Sequence, residues 1–376
     1  MAWLERSPFL RPRADARWFT WVVSAFLATL LFIVALVLAV NPYQVYGVSL
    51  CKPAYISAHT YQMLPGLLRR EHYDTLIVGS CMAQNFRISH MESVPGWGRV
   101  IKATAGGASG KAMERFISAA FDAGKVKHIF LLPDTPFTVG GGIFNLDDQI
   151  LEYLYDDNVW NDYQYFLNWD VLTEALPRTV KANLGYKRFA PSLDRDRMFS
   201  WDYGDRPERY SENEVREGFE RWHKELATIR DHAPEQADYF QKGFENRLLH
   251  HIRKRPDIRF TVCFAPYSST FWYAMRAHGG LEHFLAARQD LLLQLLALPN
   301  VKLYELQGDP ITTDLSRFSD PWHYNAGFNA WIIDAIKEGR GRLETEEDIA
   351  AAIEAIREIS RPDYQPAWLR DMLPEN

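Results

Sequence analysis

An uncharged, apolar segment near the N-terminus constrains the fold of this chain more than any other feature. It runs from Trp18 to Val40, and the nearest charged residues on either side are Arg17 and Lys52. A helix needs about 20 such residues to cross a bilayer, and a buried helix of a soluble protein is seldom apolar on every face over this length. We therefore predict a transmembrane anchor at residues 18–40.

The charges around this segment predict its orientation. Residues 1–17 carry four arginines, at positions 6, 11, 13 and 17, whereas no charged residue follows the segment until Lys52. Positive charge on one side alone predicts a cytoplasmic N-terminus (1–17) and a main domain outside the cytoplasm. In a bacterium this chain would be a single-pass protein of the inner (cytoplasmic) membrane, with a periplasmic or extracellular domain.

A cleaved signal peptide is the alternative interpretation of the same segment. Val37-Leu38-Ala39 resembles a cleavage site, but the apolar region exceeds the usual length of about 7–15 residues. A retained anchor is therefore favoured. Trp18, Trp21, Tyr43 and Tyr46 stand at its two ends, where interfacial aromatic residues belong.

The overall composition narrows the choice of partners. The net charge is −6 and the pI is near 6.0, which argues against nucleic acid as a partner. Twelve Trp and eighteen Tyr predict a large aromatic core more readily than a sugar-binding surface. Three cysteines do not make a disulfide framework; Cys51 and Cys263 could pair and leave Cys81 free.

After a connector at 41–70, the sequence pattern predicts an α/β domain over 71–343. Strand patterns and helix patterns alternate along it, which indicates a parallel sheet with helices on both faces. The predicted strands are 74–79, 99–103, 127–134, 259–265 and 301–306, and the predicted helices are 111–121, 281–298 and 326–336.

Two further regions belong to this domain organisation. An insertion at about 138–256 is rich in Tyr, Trp, Asp and Arg, and we predict helices and loops folded over the carboxyl edge of the sheet. It would either shape a substrate groove or be extra structure. Residues 344–376 form a last helix, opened by a capping-box pattern at Thr345–Asp348, and a tail that runs over the surface after Arg361.

The first stretch with chemical potential is the turn after the first predicted strand. An apolar run ends at Gly79 and is followed by Ser80 and Cys81. Open parallel sheets bind their ligands at the carboxyl ends of their strands. Cys81 is therefore a candidate nucleophile.

The second stretch lies near the other end of the domain, where Asp320 and His323 are three residues apart before a helix that Asn325 can cap. This spacing lets the carboxylate reach the imidazole. A carboxylate fixes the tautomer of a histidine and stabilises its charged form, as a general base requires. The sequence predicts a Cys81–His323–Asp320 triad if the two stretches meet.

These blocks resemble those of the SGNH/GDSL hydrolase superfamily, and most closely a membrane-anchored bacterial branch of it. Gly79–Phe86 is similar to the opening block, with Cys81 at the nucleophile position, and Asp320–Tyr324 is similar to the closing block. Gly106–Ser109 and Pro266–Ser268 lie between them in the expected order. The resemblance covers roughly 72–340 and implies a flavodoxin-like sheet, ester hydrolysis or acyl transfer, and a Cys-His-Asp triad.

The chain departs from the family pattern at two places. Cysteine replaces the usual serine at position 81, and the block that supplies an oxyanion-binding Asn is absent, with Pro133-Asp134-Thr135-Pro136 in its place. Oxyanion donors would then be the backbone N–H groups of Cys81 and Gly107, with Asn85. We assign Gly107, Asn85, Ser80 and Asp134 to oxyanion or substrate binding.

The sequence analysis predicts neither a cofactor nor a metal. His250-His251 lies in a basic stretch with no third ligand in register, and no phosphate-binding glycine loop or dinucleotide fingerprint is present. We expect an extracytoplasmic esterase or acyltransferase acting on acyl esters of envelope glycans or lipids, with an integral membrane protein as a further partner. The alternative is a catalytically inactive SGNH-like scaffold or binding module in envelope polysaccharide assembly.

Overall fold

The N-terminal helix α1 spans Pro12–Val40 in a computed structural model that describes residues 12–134, 150–156, 158–202, 204 and 206–373. Its segment Arg17–Val40 is long and apolar enough to cross a membrane. A signal sequence would meet the same criteria of length and composition. Most of the predicted N-terminal region, residues 1–11, lies outside the described residues.

Within the described residues, six strands form one sheet in the order β2-β1-β3-β4-β5-β6. The strands are β1 (Thr75–Gly79), β2 (Val100–Thr104), β3 (His128–Leu132), β4 (Arg259–Cys263), β5 (Val301–Tyr304) and β6 (Arg342–Leu343). The first five are parallel, and β6 pairs antiparallel to β5. The predicted α/β class is confirmed. The sheet is mixed, whereas the sequence predicted a parallel sheet. β6 was not predicted because a two-residue strand has no recognisable sequence pattern.

Fourteen α-helices lie within the described residues. After α1 they are α2 (Thr60–Arg70), α3 (Cys81–Gln84), α4 (Ile88–Glu92), α5 (Gly110–Asp122), α6 (Tyr163–Phe166), α7 (Leu176–Asn183), α8 (Glu212–Phe244), α9 (His250–Lys254), α10 (Ser269–Ala277), α11 (Leu281–Leu296), α12 (Ala326–Glu338), α13 (Glu346–Ile359) and α14 (Ala367–Met372). Short π-helical segments, Val171–Ala175 and Glu245–Leu249, precede α7 and α9.

The centre of the sheet is covered on both faces. Every residue of β1, β2 and β3 is buried, as expected for continuous apolar strands of a parallel sheet. β1 pairs with β2 on one side and β3 on the other, so the chain reverses direction across the sheet there. Such a switch point opens a crevice at the carboxyl ends of the strands, where Gly79 ends β1.

The insertion between β3 and β4 leaves the sheet intact. β3 pairs directly with β4, and the described part of the insertion is helical or irregular, as predicted. Its longest helix, α8, packs against α11. Residues 138–149 of the predicted insertion lie outside the described residues.

The connector after α1 is part of the domain. Asn41 and Tyr43 are buried, and α2 is buried along most of its length. The interfacial role expected for Tyr43 is wrong, because its ring packs in the interior against His59 and Tyr165. Tyr46 is half-buried and stacks on a neighbouring ring of α6.

The C-terminal region begins with the predicted helix. Thr345 and Asp348 form the predicted capping box at the start of α13, with Asp348 accepting from the backbone N–H of Thr345. The tail after Arg361, predicted to run over the surface, is mostly exposed or half-buried and contains α14. Leu369 of α14 is buried, and Tyr273 Oη donates to the carbonyl of Leu373.

Candidate active site

The turn after β1 exposes Cys81 and buries Ser80. A Cβ atom on Gly79 would lie 2.7 Å from Ala83 Cβ and 2.9 Å from the carbonyl oxygen of Leu132, so the turn requires glycine. The Ser80 hydroxyl is fully buried and accepts from the backbone N–H of Met82 at 3.3 Å. Ser80 therefore caps α3, and Cys81, the candidate nucleophile, is half-buried at the start of that helix.

The predicted triad residues lie together. Cys81 Sγ is 3.1 Å from His323 Nε2, and His323 Nδ1 is 2.7 Å from Asp320 Oδ2. The other oxygen of Asp320 accepts from the backbone N–H groups of His323 (2.8 Å) and Trp322 (3.0 Å). The carboxylate is thus fixed by the turn that follows it, and it holds the imidazole in contact with the sulfur.

The electrostatics of the pair favour the ionised forms. Burial of the His323 ring opposes its charge, but Asp320 and then Cys81 outweigh this and raise the pKa of His323 well above 6.5. Burial likewise opposes the charge of Asp320, but His323 and two backbone N–H donors lower the pKa of this carboxyl below 3.8. The imidazole that carries this charge is the one in contact with Cys81 Sγ.

The Pro266–Ser268 block holds the turn that carries the triad. Both the backbone N–H and the hydroxyl of Ser268 donate to the carbonyl of Pro321, at 2.9 and 2.7 Å. Within the turn, the N–H of Ser319 donates to the carbonyl of His323. Ser268 therefore positions the segment between Asp320 and His323 without reaching the sulfur itself.

A buried polar network extends from this block into the core. Gln307 bonds both the N–H and the carbonyl of Tyr267 at 2.6 Å, and its own N–H donates to Glu305 at 2.9 Å. Glu305 forms a buried ion pair with Arg288 at 2.7 Å. A buried charge needs such a partner; here the pair also anchors the loop next to the triad.

Two residues of the insertion complete the site, and no sequence pattern indicated either of them. The indole N–H of Trp201 donates to the carbonyl of Cys81 at 2.9 Å, and its ring meets the His323 ring edge-on at 5.9 Å. The Asp202 carboxylate accepts from Tyr210 Oη at 2.5 Å and from the N-terminal N–H of α12 at 3.3 Å. The insertion thus lies against Cys81 and the His323 ring.

Asn85 contacts the same segment of the insertion. Its side-chain oxygen accepts from the backbone N–H groups of Trp201 (3.2 Å) and Asp202 (3.0 Å). This fixes the amide group and leaves Nδ2 as the end that can donate. The predicted contribution of Asn85 to an oxyanion site therefore rests on Nδ2 alone.

The Gly106-Gly107 turn lies beside the nucleophile turn. Gly79 pairs in register with Thr104, so the chain after β2 leaves the sheet at the same edge. A Cβ on Gly106 would come within 4.0 Å of Gln84 Oε1, and Gly107 adopts a left-handed conformation (φ 62°). The backbone N–H of Gly107, predicted as an oxyanion donor, therefore belongs to a loop at the same edge of the sheet as Cys81.

Asp134 is almost fully buried in the loop after β3. It stands two residues after the last residue of β3 and interacts electrostatically with Tyr324. Burial, followed by Asp134, Cys263 and Cys81, raises the pKa of Tyr324 well above 10. Tyr324 thus remains a neutral phenol close to the sulfur. Thr135 and Pro136 of the predicted block lie outside the described residues.

A buried lysine supports the loop after the nucleophile. Lys102 Nζ donates to the carbonyls of Gln84 (2.7 Å) and Phe86 (2.8 Å) and to Ser200 Oγ (3.1 Å). Burial lowers the pKa of Lys102 to about 7. No sequence pattern distinguished this residue, because a lysine inside an apolar strand resembles an edge-strand surface residue.

The structure places a third polar group beside the histidine pair. Glu114, His250 and His251 lie with one potential ligand atom each within 4.8 Å of the others, although the sequence suggested no third ligand. Arg247 already occupies the Glu114 carboxylate at 3.2 Å. A bound cation would compete with the Arg247 guanidinium for the Glu114 carboxylate. We therefore describe the contact between Arg247 and Glu114 as an ion pair on the surface of α5.

The three cysteines are free and differ in environment. Burial raises the pKa of Cys263 in the core and, to a smaller extent, that of Cys51 in the loop after α1. The pairing of Cys51 with Cys263 that the sequence left open is therefore absent. Cys81 alone lies beside an imidazole.

The arrangement has the parts required for acyl transfer: a thiol, a base in contact with it and a carboxylate that orients the base. No family model and no curated protein matches this chain. The candidate site thus rests on its own geometry.

Proposed function

We propose that this chain is a membrane-anchored, SGNH-like esterase or acyltransferase that acts on acyl esters of envelope glycans or lipids. The observation that carries the proposal is the aligned contact of three groups: Cys81 Sγ to His323 Nε2 at 3.1 Å, and His323 Nδ1 to Asp320 Oδ2 at 2.7 Å. Both distances are within the reach that proton transfer requires.

The strand order supports the SGNH-like part of the proposal. The parallel strands run 2-1-3-4-5, the order of flavodoxin-like sheets. The nucleophile follows β1, and the Asp-His turn lies between β5 and α12, so the two blocks of the resemblance meet at one edge of the sheet. Each of these features fits the family pattern.

In the proposed reaction the Cys81 thiolate attacks the acyl carbonyl and forms a tetrahedral oxyanion. The carbon–oxygen bond of the ester breaks, the alcohol leaves with the proton of His323, and a thioester to Cys81 remains. His323 then takes a proton from water or from an acceptor hydroxyl, which attacks the thioester. The thiolate departs, and the product is a free acid or a new ester.

The proposed compartment rests on α1 and its flanking charge. By the positive-inside rule, Arg17 and the arginines before it support a cytoplasmic N-terminus. The domain would then lie on the periplasmic side of a bacterial inner membrane, where acylated envelope glycans and lipids are available. An acceptor could also be presented by an integral membrane partner.

Hydrolysis of p-nitrophenyl acetate by the detergent-solubilised full chain tests the proposal. We expect activity that falls at least on the order of 10³-fold in Cys81→Ala and in His323→Ala, as for removal of triad members. Cys51→Ala is the matched control, because it removes a half-buried thiol from the loop after α1, outside the candidate site. Equal rates in all four proteins would refute a thiol mechanism.

An inactive scaffold in envelope polysaccharide assembly is the second candidate. The missing Asn block favours it, since loss of one oxyanion donor costs about 10²–10³ in rate. Iodoacetamide alkylation read by peptide mass spectrometry separates the two functions. A catalytic Cys81 reacts below pH 8 and depends on His323, whereas a scaffold thiol reacts independently of it.

A further inference from the structure

Exposed aromatic and apolar side chains surround the C-terminal end of α1. They come from three segments: the loop after α1, the region of α6 and the end of α7. We name as the collar Leu50, Trp160, Tyr163, Trp169, Leu184 and Tyr186. Trp160 is 87% exposed and Trp169 is 75% exposed, which is unusual for the side chains that gain most from burial.

We propose that the collar lies on the lipid bilayer and docks the domain on the membrane in one fixed orientation. The three segments adjoin at the end of α1, since α1 packs against both α6 and α7. Tyr46 Oη donates to Asp162 at 2.6 Å, and Asn183 bonds the backbone of Lys52 at 2.9 and 3.0 Å. The collar is thus one continuous surface around the point where α1 leaves the domain.

The last turn of α1 is built into the domain. Val37 and Val40 are buried in the main core, whereas the preceding part of the helix is exposed. The N–H of Leu50 donates to the carbonyl of Ala39 at 2.8 Å, and Asn41 Nδ2 donates to the carbonyls of Tyr46 and Val48. Cleavage after Ala39 would remove Val37 from the core and the acceptor for Leu50, so these contacts favour a retained helix.

The length of α1 sets the depth of the collar. Its apolar segment has 24 residues, which as a helix spans roughly 36 Å and crosses a hydrocarbon core of roughly 30 Å. Its end at Val40 then lies at the level of the headgroups. Trp and Tyr concentrate at this level because their rings are apolar and their N–H and O–H groups remain hydrated.

The basic residues at the edge of the collar also fit a lipid bilayer as the partner. Lys187 and Arg188 follow Tyr186 in the exposed loop after α7, and Lys52 is exposed in the loop after α1. Long basic side chains next to interfacial aromatic residues reach lipid phosphates while their stems cover apolar surface. A bilayer therefore satisfies both the apolar centre and the basic edge of this face.

Fluorescence quenching of the full chain in lipid nanodiscs tests the proposal. The dye NBD is attached to a cysteine placed by Trp160→Cys or Trp169→Cys, in a chain whose accessible thiols are removed by Cys51→Ser and Cys81→Ser. The matched control is Tyr364→Cys, an exposed aromatic position at the start of the C-terminal tail. The nanodiscs contain phospholipid brominated high in the acyl chain.

We expect brominated lipid to quench NBD at 160 and 169 on the order of twofold more strongly than at 364. Equal, weak quenching at the three positions would overturn the proposal, as would a purified chain whose mass lacks the residues up to Ala39. Quenching that appears only as the protein concentration rises would assign the collar to a second copy and also overturn it. Because Cys81 is absent from these chains, the result is independent of the proposed chemistry.

Discussion

Gly218 of α8 lies directly against Asp320, the carboxylate that orients His323. A Cβ atom at position 218 would lie 2.6 Å from Asp320 Cβ and 3.0 Å from its Cα. The insertion thus approaches the triad at a point where only glycine fits. Asp320 is held between this helix on one side and the backbone N–H groups of its own turn on the other.

Gly218→Ala is expected to displace Asp320 and lower the activity of Cys81. A shift near 1 Å at a catalytic group costs on the order of 10²-fold in rate, so we expect a loss of this size in p-nitrophenyl acetate hydrolysis. Glu217→Ala, on the exposed face of the same helix, is the matched control. Wild-type hydrolysis by Gly218→Ala would show that the contact does not position the carboxylate.

Asp320→Asn tests the electrostatic coupling of the pair. Among the groups that raise the pKa of His323 against the effect of burial, Asp320 is the largest. An amide at this position therefore lowers the pKa of His323, and the ring loses its proton at a lower pH. Less imidazolium remains beside the sulfur near neutral pH, and we expect alkylation of Cys81 by iodoacetamide to begin at a higher pH.

Mass spectrometry of the Cys81 peptide across pH 5–9 measures this shift, and the Cys51 peptide of the same protein is the internal control. Hydrolysis should fall on the order of 10⁴-fold in the same variant, as is typical of a triad Asp→Asn change. A pH profile of alkylation identical to that of the wild type would mean that Asp320 does not control the charge of His323.

Ser268→Ala is expected to loosen the turn that carries Asp320 and His323. The variant loses the 2.7 Å bond from the hydroxyl to the carbonyl of Pro321, which costs roughly 1 kcal/mol of unfolding free energy. As a positioning residue, Ser268 should affect kcat, by about tenfold, and leave KM unchanged. If Ser268 had only a structural role, Ser268→Ala would lower the unfolding free energy without lowering kcat.

Ser269 supplies a matched control next to Ser268. Its hydroxyl is also buried but has no hydrogen-bond partner among the described residues. Removing such a group is close to neutral for stability. Ser269→Ala should therefore keep both the wild-type kcat and the wild-type unfolding free energy; equal losses in the two variants would assign them to packing.

The local features of this fold could be predicted from sequence because each depends on neighbouring residues. An apolar run and a glycine predict the strand that ends at Gly79. Side-chain hydrogen bonds to a backbone N–H three positions on predict the helix N-cap at Asn325 and the capping box at Thr345. The contact of Cys81 with His323 was predicted from two such patterns and from the rule that parallel strands end at one edge.

The remaining parts of the site could not be predicted because they depend on long-range contacts without a local pattern. Trp201 reaches Cys81 over 120 positions, and Gly218 meets Asp320 only because α8 packs along α11. Neither residue stands in a periodic or capping context that its sequence neighbours would indicate. The interfacial position predicted for Tyr43 was wrong for a related reason. Nearness to an apolar helix in the sequence does not show whether a ring faces the membrane or the interior of the domain.

Lys102 gives the domain a pH dependence of stability with a defined sign. Burial lowers its pKa from 10.5 to about 7 in the folded protein. Between these values the unfolded chain holds a proton that the folded chain has released, so rising pH favours the folded state. Below about pH 7 the lysine is charged in both states, and its full burial penalty opposes folding.

Lys102→Met, which keeps an unbranched side chain one atom shorter and removes the charge, is expected to abolish this dependence. Between pH 7 and pH 9 the unfolding free energy of the wild type should rise by about 2 kcal/mol relative to the variant, from the slope of roughly 1.4 kcal/mol per pH unit for one released proton. Urea denaturation of the detergent-solubilised chains at the two pH values measures the difference. Lys111→Met, at an exposed position of α5, should leave the wild-type dependence intact. A constant difference between wild type and Lys102→Met would mean that Lys102 stays protonated inside the fold across this range, held by the carbonyls of Gln84 and Phe86.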